Sequence, residues 1–440
     1  MKRVAIALGF LFGAAAAAPA FATTNMYGLL WYGQSLSVGA FGLPILTPFA
    51  PNPYTLMMYN SGNGLYSINQ QKSTSQASTV FTNLVPAYDS YYSSLSNTSP
   101  GQTPANPMAE ALDALEGATA TAPFFKVLLS FGEGGYNYSQ LASGQTVYTN
   151  LVNGVTGGVN LMPPGFVLNV PAIMYVQGEA DAQASTARAT YASDLATMQS
   201  NLSSSIEAAT SQANAPRMLI TQETNQGPFG SPAQNEAIMG AQSDASYPNS
   251  SSIYLVTPLY PLENNAQQSG HLTARGYFYL GEYMARAYYH IVPAAEGGLN
   301  GTYFAPRPTV ASITNSGAVV TIPFTGGTAP YQIDCSHVTS PNGAADGFYY
   351  TDTSGSPPHV LSVAASGSNI LVTLSAAPSH AVAATIEYAW NYNNGEGTAT
   401  PGPTSGIRGC VHDSDPYVSI LDGTPLPNYS IAWNAAFTTN

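Results

Sequence analysis

Charge is what this 440-residue sequence most lacks. Asp, Glu, Lys and Arg make up 8% of it, with only 10 Lys and Arg against 23 Asp and Glu, for a formal net charge of −13. That balance argues against a nucleic-acid partner or an anionic membrane surface, both of which favour basic patches. There are two cysteines, Cys335 and Cys410, and neither sits in a CxxC or Cys/His spacing, so a zinc site is not indicated. Past the N-terminus no apolar run is long enough to span a bilayer. There are only six histidines, and four of them (His337, His359, His380 and His412) fall in the last third. The abundant residues are Tyr, at 29, together with Ser, Asn and Thr. A tyrosine-rich surface of low charge suits neutral polar ligands, and it is also simply how exported proteins are often built.

The N-terminus reads as a processing signal. Lys2-Arg3 form the positive segment, residues 4–17 the apolar one, and Ala20-Phe21-Ala22 a small-x-small cleavage site. The expected mature chain starts after residue 22 and is exported, to the periplasm or beyond the cell. Export permits a Cys335–Cys410 disulfide, which would stabilise the fold by roughly 4 kcal/mol in the chain-entropy model.

The length predicts two domains. Five apolar runs, at 27–32, 125–131, 173–176, 218–221 and 253–257, lack strict alternation and read as strands covered on both faces. Helical patterns lie between and after them, at 107–116, 189–209, 233–243 and 273–291. Strands alternating with helices predict a mainly parallel, five-stranded sheet in an α/β/α sandwich. Residues 39–103 read as an irregular rim over the site, with strand-like pieces such as 55–59. Beyond residue 304 the alternating runs 319–323, 370–374 and 385–390, separated by turn residues, predict a small all-β sandwich. The expected division is thus 1–22 signal peptide, 23–303 α/β domain and 304–440 accessory sandwich.

Three short segments carry candidate chemistry. Gly33-Gln34-Ser35 follows the first strand, Gln177-Gly178-Glu179-Ala180-Asp181 the third, and Gly270-His271-Leu272-Thr273 opens the last helix before the change of pattern. Serine hydrolysis needs a general base, a group that orients it, and donors for the oxyanion. The α/β part contains only His271 and His290, and His290 lies near a helix end, where histidine commonly caps or packs. His271 is therefore the candidate base. Ser35 is the candidate nucleophile, in competition with Ser37.

These blocks, with the Gly134-Gly135 pair after the second strand, resemble the SGNH/GDSL hydrolases, and more closely their sialate O-acetylesterase and carbohydrate esterase family six branch. The likeness spans residues 25–291. It implies a flavodoxin-like SGNH domain, with Ser35 as nucleophile and His271 as base. It implies an oxyanion hole of Ser35 N–H, a Gly134 or Gly135 N–H and the Gln177 amide, with Gln34 in substrate binding. No metal or organic cofactor is implied. The wider superfamily has an aspartate three residues before the histidine; here that position is Gln268. The branch offers Glu179 as the orienting acid instead, and Asp181, Glu133, Glu263 or a backbone carbonyl are the other choices. The function implied is removal of O-acetyl groups from a polysaccharide or sialoside. Two rivals stand beside it. One is a lipase or thioesterase of the same fold, for which Leu43, Ile45, Leu46 and Phe49 would line an acyl site. The other is a non-catalytic glycan-binding protein. In the C-terminal part Trp390, Tyr388 and Tyr392 either stack on sugar or pack a core, the latter being the stronger reading, and Arg408 and Asp413 read as a structural pair.

Overall fold

The computed structural model describes residues 23–46, 55–59, 77–87, 89, 91–94, 97–117, 125–224, 230–265, 270–379, 383–390 and 402–439. Residues 1–22, read as a signal peptide, and Phe49, Gln268, His380 and Tyr392 lie outside these residues. Among the described residues no helix is long and apolar enough to cross a membrane.

The five expected strands lie side by side in one sheet. In chain order the strands of this half are β1 (Thr24–Gly33), β2 (Leu56–Tyr59), β3 (Leu84–Pro86), a separate hairpin of β4 (Tyr91–Ser94) and β5 (Asn97–Gly101), then β6 (Phe125–Ser130), β7 (Phe166–Asn169), β8 (Ala172–Val176), β9 (Arg217–Gln222) and β10 (Ile253–Pro258). The sheet runs β10-β9-β8-β1-β6-β2-β3, with β7 also on β1. All its pairings are parallel except β2 with β3. The five expected strands, numbered by occurrence, lie 2-1-3-4-5, the flavodoxin-like order. Its switch point falls between β1 and β8, and ligands of open α/β sheets bind beyond the carboxyl ends there. The sheet has eight strands rather than five. The strand-like piece expected at 55–59 is β2, and it extends the sheet, because Leu56 and Met57 pair with Lys126 and Val127.

Among the described residues seven α-helices accompany the sheet: α1 (Ala105–Gly117), α2 (Tyr138–Leu141), α3 (Thr146–Asn160), α4 (Glu179–Gln183), α5 (Arg188–Thr210), α6 (Pro232–Ala245) and α7 (Ala274–Ile291). Alternate residues of β1 enter different cores. Leu29 and Trp31 pack with Met108 and Leu112 of α1 and Tyr277 and Leu280 of α7. Leu30 and Tyr32 pack with Leu151 of α3, Leu195 and Leu202 of α5 and Ile238 of α6. Burial on both faces explains why the strands lack a polar alternation.

The C-terminal part is antiparallel, as expected. One sheet runs β11 (Arg307–Pro308), β13 (Val319–Thr325), β17 (Asn369–Leu374), β16 (Val360–Ser366), with β12 (Thr314–Ser316) on β13. A second runs β15 (Phe348–Asp352), β18 (Ala383–Tyr388), β20 (Trp433–Thr438), and β14 (Gln332–Ile333) pairs with β19 (Val411–His412). Cys335 and Cys410 form a disulfide. Tyr388 is fully buried, donates to or accepts from the Tyr260 hydroxyl at 3.2 Å and accepts from Val411 N at 2.8 Å; Trp390 is buried too. Core packing, not sugar stacking, is their role. Arg408 and Asp413 do not pair: Arg408 donates to Thr339 O and Gly406 O, while Asp413 accepts from Thr328 N and from Asn428.

Gly33, the last residue of β1, has φ +128°, and a Cβ there would lie 2.1 Å from Val176 O of β8. Gly33→Ala would thus force two strand ends apart and strain the backbone. The expected cost is about 3 kcal/mol or more, with loss of activity, measured by denaturant unfolding and an ester assay. A cost below about 0.5 kcal/mol would show that the strand ends separate freely.

Candidate functional site

Ser35 begins a single tight turn, Ser35–Val38, directly after β1. Gln34 N donates to Val176 O at 3.0 Å, which ties the turn to the end of β8. Ser37 is fully buried and its hydroxyl donates to Gln34 O at 2.7 Å. Ser35 is the serine left facing the cleft, and its Oγ lies 2.9 Å from His271 Nε2. That is hydrogen-bond distance between a nucleophile and a general base. The two groups are 236 positions apart in sequence.

His271 sits on the loop between β10 and α7. Its carbonyl accepts from Asn265 N at 2.8 Å. Thr273 caps α7, its hydroxyl accepting from Gly276 N at 3.1 Å. The edge of the imidazole meets Phe41, with centroids 4.7 Å apart and planes at 69°. Phe41 is one of the few non-glycine residues with positive φ, at 62°. Its loop is pinned on several sides. Tyr277 OH donates to Ala40 O at 2.7 Å, Gln102 N to Gly42 O at 2.6 Å, and Leu46 N to Gln102 Oε1 at 2.9 Å. Gln102 and Thr103 in turn donate to the buried Asp89 carboxylate. Burial pushes that carboxyl up to about 7 despite these bonds.

The oxyanion side differs from expectation at one residue. A Cβ on Gly134 would lie 3.7 Å from Ser35 Cβ, so this glycine adjoins Ser35. Gly135 has φ +73° and open space before it. Among the described residues no protein acceptor takes the N–H of Ser35, Gly134 or Gly135. Gln177 is different. Its amide nitrogen donates to Asp181 Oδ2 at 2.6 Å and to Tyr136 O at 3.4 Å, and its oxygen accepts from the Tyr191 hydroxyl. A primary amide has two N–H groups, and both are spent. Gln34 has the spare donor. Its Oε1 accepts from Ala180 N at 3.2 Å, and its Nε2 has no protein partner among the described residues.

The acid candidates also separate. Glu179 is buried beneath the site, and neither carboxylate oxygen makes a hydrogen bond, so it does not bond to His271. Asp181 is consumed by Gln177, Tyr138 N and Thr186 Oγ1, and it joins the glycine loop to the third segment. Glu263 accepts from the Thr273 hydroxyl and pairs with Arg275 at 3.7 Å. Glu133 is buried, and its N–H donates to Gly33 O. Gln268 lies outside the described residues. His290, the other histidine of this half, stacks on Tyr303 with centroids 5.4 Å apart at the far end of α7, away from Ser35.

Burial pushes the Glu179 carboxyl up to about 7 from an ordinary 4.5. Burial also raises Glu223, helped by the charges of Glu179 and Asp181. A carboxyl whose folded pKa is raised favours the folded state fully below 4.5 and loses that contribution as pH rises to about 7. The loss from Glu179 is at most about 3 kcal/mol. Glu179→Gln should therefore melt increasingly above wild type as thermal scans move from pH 5 to pH 8. A constant gap would mean that Glu179 is already ionised in the fold.

Known proteins can now be set beside this geometry. Residues 89–290 match the family model described as carbohydrate esterase, sialic acid-specific acetylesterase. The match includes Gly134, Gln177, Glu179 and His271 and begins after Ser35. No curated protein matches the chain. Solved structures similar to it include a protein from Arabidopsis thaliana, at 16% identity and TM-score 0.43, over 60% of this chain and 98% of that one. NanS aligns at 15% identity and TM-score 0.41, over 60% and 97%. Est24, a carbohydrate acetylesterase from Sinorhizobium meliloti, aligns at 11% identity and TM-score 0.29, over 59% and 96%. Over residues 89–290, a little under half of the chain, the protein is similar to the sialic acid-specific acetylesterase family of carbohydrate esterases, a family of ester hydrolases.

Proposed function

We propose that the protein is an exported serine esterase that removes O-acetyl groups from carbohydrate through a Ser35–His271 pair. The 2.9 Å contact between Ser35 Oγ and His271 Nε2 carries this reading. His271 accepts the Ser35 proton as the serine oxygen attacks the acetyl carbonyl. Ser35 N–H, a Gly134 or Gly135 N–H and Gln34 Nε2 stabilise the tetrahedral oxyanion. His271 then protonates the departing sugar hydroxyl. A water activated by the same imidazole attacks the acetyl-enzyme, and acetate leaves. Gln177 acts at one remove, holding Asp181 and Tyr191 so that the glycine loop and the third segment stay in register. Export is supported by the leader at residues 1–22 and by the Cys335–Cys410 disulfide, which persists in an oxidising compartment.

A chromogenic acetate ester separates this reading from its rivals. Ser35→Ala should lower kcat by about 10³-fold or more without lowering Tm. If wild type and variant are both inert on chromogenic and on acetylated glycan substrates, the glycan-binding reading stands instead. Much faster turnover of long-chain than of acetyl esters would favour the lipase reading.

The two glutamines give a sharper test. Gln34→Ala should cost kcat about 10²-fold or more with KM little changed, as for loss of one oxyanion donor. Gln177→Ala should chiefly lower Tm, because it leaves Asp181 and the Tyr191 hydroxyl short of a partner. The reverse pattern would return Gln177 to the oxyanion hole.

A further inference from the structure

A second cleft, of about 400 Å³, lies where the α/β half meets the antiparallel sheets. Its walls come from segments far apart in sequence: the turn after α6, the end of α7, the connection at Thr302, the end of β13, and the C-terminal tail. It is remote from Ser35. His290 is near the C-terminus of α7, and His271 immediately precedes the helix, so the two are separated by about 25 Å along the axis.

The lining is chemically mixed. Tyr247 and His290 supply aromatic surface. The Tyr247 ring is braced by Tyr254, stacked at 5.7 Å, and by Phe304 at 4.8 Å. The His290 ring is braced by the Tyr303 stack. The hydroxyls of Thr302, Thr325 and Thr328 and the ring nitrogens of His290 make no hydrogen bond among the described residues. Asp415 presents a fixed acceptor. Arg286 holds its Oδ2 at 3.4 Å and Asn428 Nδ2 at 3.3 Å. Arg286 is itself immobilised between the rings of Tyr283 and Tyr417, its guanidinium carbon 4.6 Å from each centroid.

Each part narrows the ligand. A carboxylate on the wall opposes an anion. Arg286 already neutralises that carboxylate, which opposes a cation. Threonine hydroxyls without partners disfavour an apolar guest, since filling the cleft with hydrocarbon would desolvate them uncompensated. A neutral polyhydroxylated ring meets every requirement. Its hydroxyls both donate and accept, and its C–H face packs on an aromatic ring. The volume lies in the range of small-ligand pockets.

We propose that this cleft binds a neutral sugar unit, as a second saccharide site apart from the catalytic serine. On a polymeric substrate such a site raises the effective concentration of esters near Ser35 without touching the reacting atoms. The inference rests on the cleft's own chemistry and does not require the Ser35–His271 mechanism.

The test uses saturation-transfer difference NMR on the full-length protein with galactose, glucose, xylose and N-acetylglucosamine, and with N-acetylneuraminic acid as an anionic control. At least one neutral sugar should receive transfer, more strongly than the control. His290→Ala removes an aromatic wall and should weaken that binding by about fivefold to tenfold. Thr302→Trp fills the cleft from an exposed position, so it guards against misfolding of the first variant, and it should abolish the signal. Both variants should hydrolyse p-nitrophenyl acetate at the wild-type rate. Transfer to none of the neutral sugars, or transfer that survives both substitutions, overturns the proposal. The p-nitrophenyl acetate rate reports on Ser35 and His271 separately, so the failure of one reading leaves the other distinguishable.

Discussion

The closeness of two strand ends governs this site. β1 and β8 approach so tightly at their carboxyl termini that only glycine fits at position 33. One residue later, Gln34 N is bonded to Val176 O, and Gln34 Oε1 takes Ala180 N. The Ser35 turn is thereby locked to the third segment by the strand ends and the Gln34 amide, before the side chains of Ser35 and His271 are considered. Asp181 adds the glycine loop through Tyr138 N. Three of the four contributing segments thus form one body, anchored to parallel strands whose cores are closed on both faces. Only His271 arrives on a longer connection. It is placed by a capped helix behind it and by Phe41 against its ring. Sites built on strands and braced this way hold their geometry better than sites built on loops alone.

The elements readable from sequence are those whose burial is uniform. The five expected strands announce themselves as short apolar runs because helices cover both faces. α5 is legible because its buried residues recur at helical spacing, whereas α7 is buried on nearly all sides and is legible from its length and its apolar positions 277, 280, 284 and 287. α3 is hidden by its glycines. Gly154 and Gly157 look like breakers, yet a Cβ at either would collide with Phe131 or Phe81, so they are there for close packing. β3 and β7 are three and four residues long, and their pairing depends on neighbours remote in sequence, whereas β2 falls on the strand-like piece expected at 55–59. In the C-terminal part β13 and β17 alternate buried and half-buried residues and are correspondingly plain.

At the site, the motif residues reveal which groups are present but not which of their bonds are already spent. Ser35 and His271 were legible from their order and their positions after strands. Gln177 and Gln34 could not be ranked in that way. Both are amides beside the first and third segments, and the choice turns on Asp181 and the Tyr136 carbonyl, which take the N–H groups of Gln177, while Tyr191, a residue of α5 that no motif includes, holds its oxygen. Glu179 misled for the same reason. Its position in a motif suggests a partner for the histidine, whereas its surroundings are those of a carboxyl held in a dry interior beside Glu223. Any reading of a buried polar residue needs the full account of its donors and acceptors.

The same accounting explains why the C-terminal tail cannot be treated as an appendage. Glu282, on the buried face of α7, has its charge met by Ser419 Oγ at 2.7 Å, Ile420 N at 2.7 Å and the Tyr417 hydroxyl at 3.2 Å. Arg286, one turn on, lies between Tyr283 and Tyr417. Gln222, at the end of β9, exchanges two hydrogen bonds with Ala432. Without the tail, a carboxylate and a guanidinium on the helix that follows His271 would be stripped of the groups that compensate their burial. Leaving such charges unpaired is among the costliest changes a core can suffer. The α/β half therefore depends on residues 417–432 for its own charge balance, and the helix that follows His271 is completed by the far end of the chain.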